Sequence, residues 1–586
     1  MKNLKKILFI ITPKNYKKSV FLLILIVIGT FLETFGIAII IPIIKLITGG
    51  KEYFLSLDYV QNNSFILENL QKYSSEQILI FVVAAVFAFF TFKAFFLVKL
   101  TWDQNKFSGN LMSEVSQRLF KIYMYSPYSF HLQKNSSQLI HNIISETNLL
   151  SSTVILAILT LITEFLVLIS IFILLLVIET RAVLIITFIL FLICFIYYET
   201  TKKMLTNWGY LRQNHDSLRL KHLQQGLGGI KDIKLLGREN EFIREFSTHT
   251  EKLKITGIKT SFISLIPRIG LEYLGVLSVS IILLLAIMSG SEKNVIISSL
   301  AVFIAAAFRI MPSVNRILSS LQNLRVGLPV IERLYNEFKN KHTEENLNKI
   351  DSKNIFNNSL EFKHVSFSYE GSKQILHEIS FKIKKGETIG IIGESGSGKT
   401  TLVDLMLGLL DPKEGKIEVD GTSIKFFKRA WQSKIGYVPQ FIYLSDDTLA
   451  KNIAFGINDK DINLNRVEEC VKAANLNNFI ENLPNKLNSF VGERGARLSC
   501  GQLQRIGIAR SLYHKPEVLI LDEATSSLDI ETEKRIIEEV NNVKKFKTII
   551  FISHRLSAIK DCDFIIQLDK GKIVNFGKPK EILNKQ

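Results

Sequence analysis

The chain has 586 residues, 47% of them hydrophobic, and a formal net charge of +18; its mean hydropathy is +0.22. That length exceeds one domain, and the apolar residues sit in long runs upstream of about residue 315. From residue 351 onward 35 Lys/Arg face 31 Asp/Glu, so most of the positive excess belongs to the apolar half; this argues against nucleic acid as the partner.

A membrane span needs about 20 apolar residues. Six runs qualify, at 20–41, 78–98, 154–177, 182–198, 269–288 and 295–311. The first is too long for a cleaved signal peptide and no small-residue cleavage site follows it. Lys2, Lys5, Lys6, Lys14, Lys17 and Lys18 precede it, and positive-inside bias places that end in the cytoplasm. Six spans then return the C-terminal half to the cytoplasm. The connections 99–153 and 199–268 are long, polar and helical in pattern, which predicts two cytoplasmic helical hairpins. Residues 49–70, with Tyr53, Phe54, Leu55, Leu57 and Tyr59, suit a short helix at the outer interface; a packed loop is the alternative. The expected order is a membrane all-α domain (1–338), a polar linker (339–358) and an α/β domain (359–586).

Cys194, Cys470, Cys500 and Cys562 are too widely spaced for a zinc site or a disulfide framework.

The run Gly393-Glu394-Ser395-Gly396-Ser397-Gly398-Lys399-Thr400-Thr401 fits G-x-x-x-x-G-K-[ST], between an apolar strand-like run at 388–392 and a helix-like run. Its glycines let backbone N–H groups close around phosphates at a helix N-terminus. Lys399 is placed to reach the β- and γ-phosphates and Thr400 to ligate Mg²⁺. Downstream, an apolar strand at 518–521 ends in Asp522 and Glu523. Asp522 suits Mg²⁺ held through water, and Glu523 a general base that polarises the attacking water. Leu498-Ser499-Cys500-Gly501-Gln502 precedes a helix-like run whose N-terminus suits a γ-phosphate.

In this order the motifs resemble the ATPase of ABC transporters. The resemblance implies that Tyr369 stacks on adenine and that Gln440 is the Q-loop glutamine, contacting Mg²⁺ or water. It implies that Ser499, Gly501 and Gln502 belong to the signature, Asp529 to the D-loop, and His554 to the γ-phosphate switch. The signature usually reads LSGGQ, and Cys500 replaces its first glycine; ATP binding is expected to survive, with hydrolysis altered in rate at most. One ATPase and six spans imply half of a homodimeric exporter, in which the signature of one copy closes on nucleotide held by the other. Gly492-Glu493-Arg494-Gly495 resembles the exporter segment that meets the hairpin loops. ATP and Mg²⁺ are the cofactors implied.

Ionisable residues inside spans are costly and usually face the bundle interior. Lys93, Arg268, Arg309 and Arg316 are the basic ones, all toward the inner leaflet at about 1.5 Å per residue. Arg309 and Arg316, seven apart, share a helix face. Such a set suits an anionic headgroup, diphosphate above all. Snorkelling to the interface is the alternative, as is pairing of Arg268 with Glu272. Glu33 and Glu164 also lie within spans, where pairing with a basic neighbour is expected. The stretches around Glu33, 266–272 and 309–317 resemble the PglK family of lipid-linked oligosaccharide flippases. That resemblance implies a polyprenyl-diphosphate-linked oligosaccharide as substrate, its diphosphate met by the four basic residues and its tail by residues 49–70. Lipid A, a hydrophobic drug or a peptide is the competing cargo.

Overall fold

Three of the apolar runs lie in helices far longer than a membrane is thick. In the computed structural model, which describes residues 2–11, 15–39, 43, 74–178, 180–288, 293–339, 355–369, 371, 373–524, 547–553, 555 and 559–583, the first half is helical. It comprises α1 (Lys2–Ile10), α2 (Tyr16–Ala38), α3 (Ser75–Tyr125), α4 (Leu156–Ile178), α5 (Thr180–Gly228), α6 (Glu239–Met288), α7 (Lys293–Val326) and α8 (Leu328–Lys339), with short helical turns between α3 and α4. Helix α3 has 51 residues, roughly 75 Å at 1.5 Å per residue. A hydrocarbon core takes about 30 Å of that, and the rest is the polar extension expected from the sequence. Helices α5 and α6, with 49 and 50 residues, extend likewise.

Five helices among the described residues are long and apolar enough to cross a membrane. The sixth expected span, 295–311, falls within α7, where the side chains of 293–306 lie outside the described set. Much of the apolar surface faces outward, as it does for helices in lipid: Phe87, Phe95 and Phe308 are each about three-quarters exposed. Helix α3 starts at a capping box in which Ser74 Oγ accepts from Gln77 N and Gln77 Oε1 accepts from Ser74 N, satisfying two otherwise orphaned donors. Helix α8 buries Val330, Ile331, Leu334 and Phe338, an i, i+4, i+8 stripe, and packs on α1. The interface segment expected at 49–70, residues 340–354 of the linker, Asp529 and His554 lie outside the described residues.

The chain divides into two compact units, residues 1–126 with 131–343, and residues 127–130 with 344–586. The second holds two sheets. Strands β1 (Ser359–Phe367), β2 (Leu376–Lys384), β4 (Glu414–Val419) and β5 (Thr422–Ser423) form an antiparallel sheet in the order β2-β1-β4-β5. Strands β3 (Thr388–Gly393), β6 (Ile435–Val438), β7 (Val518–Asp522), β8 (Thr548–Ile552), β9 (Phe564–Asp569) and β10 (Lys572–Gly577) form the other, in the order β10-β9-β3-β8-β7-β6. Its strands pair in parallel except β10 on β9. Strands β3, β7 and β8 are buried almost throughout, as continuous apolar runs in a covered parallel sheet must be. Helix α9 (Lys399–Met406) follows β3 after the turn 394–398, and α10 (Cys500–Tyr513) precedes β7. Two apolar cores flank the sheet, one containing Leu402, Met406 and Trp431 and the other Val467, Ile506 and Ile508. The fully buried Trp431 donates its Nε1–H to Met406 O at 2.8 Å, so its burial leaves no polar atom unpaired.

Candidate functional site

Three parallel strands deliver the candidate ATPase residues to one edge. β3 ends in the phosphate loop, β7 ends at Asp522, and Gln440 lies two residues past β6. Ligands of open α/β sheets bind at this carboxyl edge.

The phosphate loop is built on backbone that only glycine adopts without strain. Gly393 and Gly398 have φ of 154° and 104°. A Cβ on Gly393 would stand 2.3 Å from Leu568 O, and one on Gly398 2.8 Å from the Leu376 side chain. Lys399 folds back over the loop, donating from Nζ to Gly393 O at 2.7 Å and Glu394 O at 2.9 Å. Burial lowers its pKa, and the charges of Glu523 and Asp522 oppose that shift. The Ser397 hydroxyl is buried without a hydrogen-bond partner. Tyr369 lies edge-on to Phe367, 5.0 Å between ring centroids, and its hydroxyl stands 3.4 Å from Thr401 Oγ1.

The two carboxylates at the end of β7 meet different surroundings. Asp522 is buried, and burial raises its pKa; the neighbouring Glu523 adds to the shift, while the Tyr437 hydroxyl, donating to Oδ2 at 3.2 Å, opposes it. Glu523 lies just past the strand with φ of 49°, a strained conformation for a non-glycine residue of the kind that gathers at functional sites. Its Oε2 accepts from Gln440 Nε2 at 2.7 Å. Asp404, on α9, is pushed up to about 6 by burial, with Asp522 contributing. Asp522 at the end of β7 and the orphaned Ser397 hydroxyl in the phosphate loop supply donors that a hard divalent cation and a polyphosphate would satisfy. The residues present therefore fit Mg²⁺ and ATP.

The signature helix begins earlier than its apolar pattern suggests. Ser499 caps α10: its Oγ accepts from Gln502 N at 3.2 Å, and Gln502 Oε1 accepts from Ser499 N at 2.9 Å. Cys500 is thus the first helical residue, exposed, and without a positive φ. The backbone needs no glycine there, which explains how cysteine is accommodated. Just upstream, Gly492, Arg494 and Gly495 all have positive φ, at 76°, 53° and 73°.

In the helical unit the structure joins three of the four basic residues predicted to meet substrate. Lys93 Nζ lies 2.8 Å from Glu33 Oε2, and Arg309 Nε donates to the same oxygen at 3.1 Å. Arg309 Nη2 lies 3.7 Å from Glu164 Oε2, and Arg316 Nη1 donates to Glu164 Oε1. The Ser313 hydroxyl donates to Glu164 Oε2 at 2.7 Å. Four helices, α2, α3, α4 and α7, converge on this network, and the Glu164 side chain is only 3% exposed. Arg268 stands outside it. It pairs with Glu272 one turn on at 3.0 Å, and both side chains are more than 60% exposed. Within one chain three of the four basic residues share two carboxylates, and Arg268 does not join them. The pairings expected of Glu33 and Glu164 are present, and so is the alternative pairing of Arg268 with Glu272.

Ser313 and Tyr437 are site residues that sequence reasoning passed over. Ser313 was legible in principle, four residues after Arg309 and three before Arg316 on one helix face. Tyr437 lies three residues before Gln440 on β6, and its approach to Asp522 depends on the β6–β7 pairing, Tyr437 opposite Ile520.

The chain matches two sequence families, the ABC transporter transmembrane region over residues 19–311 and the ABC transporter domain over residues 376–526. It is 30% identical over 486 residues to an ATP-dependent lipid A-core flippase of Saccharophagus degradans, covering 81% of this chain and 80% of that protein. A protein of the same description from Cupriavidus pinatubonensis is 29% identical over 493 residues, covering 81% and 82%. Among solved structures, a bacterial Atm1-family ABC exporter with ATP bound superposes with a TM-score of 0.77 at 21% identity, over 97% of this chain and 96% of that one. With the phosphate loop, the paired carboxylates and the capped signature helix on one chain with a multi-pass helical unit, the protein belongs to the ABC transporter family, as an exporter-type half-transporter whose ATP hydrolysis is coupled to transport.

Proposed function

We propose that the chain acts as a homodimer in the cytoplasmic membrane, with its N-terminus and ATPase domain in the cytoplasm, and flips a phosphorylated glycolipid of the lipid A-core class to the outer leaflet. The observation that carries this reading is the 30% identity, over four-fifths of both chains, to a protein described as a lipid A-core flippase. The buried network agrees with it in chemistry. Lys93, Arg309 and Arg316 carry three positive charges against the two negative charges of Glu33 and Glu164. One excess cation per chain, two per dimer, suits an anionic saccharide head, and arginine forks bind phosphate oxygens bidentately.

A second reading, a polyprenyl-diphosphate-linked oligosaccharide, is supported by the span residues around Glu33, 266–272 and 309–317. Its headgroup is also a phosphorylated saccharide, but the exposed Arg268–Glu272 pair lies apart from the network, which weakens the four-cation diphosphate site.

At the ATPase site, Thr400, Gln440 and Asp522 would hold Mg²⁺, which supplies charge neutralisation on the phosphates when bound. Lys399 would exchange its two loop carbonyls for phosphate oxygens. Gln440 holds the Glu523 carboxylate, the group that would accept a proton from the attacking water. Tyr369 would stack on adenine, and His554 would meet the γ-phosphate. Ser499, Gly501, Gln502 and Asp529 would close on nucleotide held by a second copy.

The test is ATP-driven flipping in proteoliposomes offered lipid A-core or a polyprenyl-diphosphate oligosaccharide, with Glu523→Gln as control. Flipping of lipid A-core by the wild type alone is the expected result. Flipping of only the polyprenyl substrate would transfer the assignment to the second reading. Flipping of neither, with ATPase activity intact, would sink both.

A further inference from the structure

Helices α5 and α6 pack along one another, and on their polar extensions they bring three histidines and a glutamate together. Glu245 and His249 are four residues apart on α6, and His215 and His222 are seven apart on α5, so each pair shares a helix face. Donor atoms of His222, Glu245 and His249 all lie within 4.8 Å of one another. His222 Nε2 is 3.9 Å from Glu245 Oε2, and the His222 and His249 rings stack with centroids 5.2 Å apart. His215 presents its Nδ1 to His249 Nδ1 at 3.0 Å. None of these residues belongs to the nucleotide site or to the buried ion network.

We propose that His222, Glu245 and His249 form a binding site for a divalent transition metal ion of the zinc class, with His215 as a positioning residue on the His249 ring. Two imidazoles and one carboxylate are a borderline donor set that suits Zn²⁺ and leaves a coordination position open. Tetrahedral bonds of 2.0–2.1 Å place donors about 3.4 Å apart. The present spacing is wider by up to roughly 1.4 Å, a distance that side-chain rotation of surface groups covers; the Glu245 side chain is 54% exposed and His222 20%. The His215 contact is the arrangement by which a metal-bound imidazole is oriented through its other nitrogen. Because the ligands come from both helices, the ion would pin the polar extension of α5 to that of α6.

The experiment uses full-length protein in nanodiscs, purified without a histidine tag and stripped with chelator. Zn²⁺ is titrated by calorimetry, and Co²⁺ is followed through the visible absorption of a low-coordinate nitrogen site. Wild type is expected to bind one Zn²⁺ per chain more than the double variant His222→Ala/His249→Ala. His215→Ala is expected to weaken binding about 10- to 100-fold, the usual cost of losing an orienting partner. Zn²⁺ is also expected to raise the unfolding temperature of wild type and not of the double variant. Equal Zn²⁺ uptake and equal Co²⁺ spectra in wild type and double variant would overturn the site. Glu245→Gln, which keeps the shape of an exposed side chain, supplies the same comparison should the alanine variant fold poorly.

Discussion

The two charged constellations of this chain are assembled by different means. At the ATPase site a contiguous loop and the ends of three adjacent strands set the geometry, and several groups are left poised and unsatisfied: the Ser397 hydroxyl has no partner, and Asp404 and Asp522 are held above their ordinary pKa. In the helical unit four helices contribute side chains that already satisfy one another, with Glu33 and Glu164 each bridging two cations. A site that awaits a highly charged ligand keeps its electrostatic need open. A network that must persist in a low-dielectric interior closes most of it and leaves one charge over.

Glu523→Gln tests the poised side of that contrast and should have the largest effect. It keeps the shape at a backbone position of φ 49° and removes the basic oxygen that Gln440 holds. ATP turnover is expected to fall by about 10²–10⁴, the range for a lost general base, with nucleotide binding retained. Near-normal turnover in a radiolabelled-phosphate release assay would remove Glu523 from the mechanism.

The satisfied side is tested by taking away one bridge. Glu164→Ala strands Arg316, Ser313 and one contact of Arg309. Glu164 is buried, but Arg316 is half exposed and Arg309 keeps Glu33, so the loss falls below the roughly 3–5 kcal/mol of a fully buried pair broken from one side, and a measurable fall in unfolding temperature is expected. Arg268→Ala is the matched control: Arg268 has its partner Glu272 one turn along the same helix and both side chains are exposed, so a smaller loss is expected. Similar unfolding temperatures for the two variants would erase the distinction between the network and the surface pair.

The same contrast decides what the sequence disclosed. The phosphate loop, Asp522, Glu523 and Gln440 were legible because local chain order carries their chemistry: a glycine-rich turn after a strand, acids at a strand end. The partners of Glu33 and Glu164 were legible only as a need for a cation, since burial forbids leaving them unpaired. Which cation answers depends on how α2, α3, α4 and α7 rotate against one another. For that reason sequence alone groups Arg268 with Lys93 and the two α7 arginines, whereas in the structure it pairs with Glu272 on its own helix. Glu245 and His249 show the same limit. Their i, i+4 spacing is plain in the sequence, but His222 joins them only because α5 lies against α6.

A smaller effect concerns Asp404. Its folded pKa, about 6, lies above the ordinary aspartate value near 3.9. The folded state therefore holds its proton more tightly than the unfolded chain, and the cost of ionisation grows as pH rises from about 4 to about 6 and stays constant above. Asp404→Asn should raise the unfolding temperature of nucleotide-free protein at pH 8, by the equivalent of about 1–2 kcal/mol after allowing for solvent screening. The gain should shrink as pH is lowered through 6 and vanish near 4. A gain independent of pH would mean that ionisation of Asp404 is not its source.

The smallest effect is expected at Cys500. Glycine usually stands at this point of the signature, and its replacement invites the idea of a regulatory thiol or a crippled site. The structure argues otherwise. Ser499 forms both hydrogen bonds of its capping box with Gln502, so the start of α10 is fixed without help from residue 500. The Cys500 side chain is exposed on the first helical turn and the backbone there is ordinary right-handed helix. Cys500→Gly should lower stability by about 1 kcal/mol or less, the backbone-entropy cost of glycine in a helix, and shift ATP turnover less than tenfold. Titration of turnover with a small thiol reagent separates the remaining possibilities. On the proposed closure of this helix over nucleotide held by a second copy, a bulky adduct should slow hydrolysis in wild type and leave Cys500→Gly untouched. Equal sensitivity of the two proteins would place the reactive thiol elsewhere and detach the signature helix from that closure.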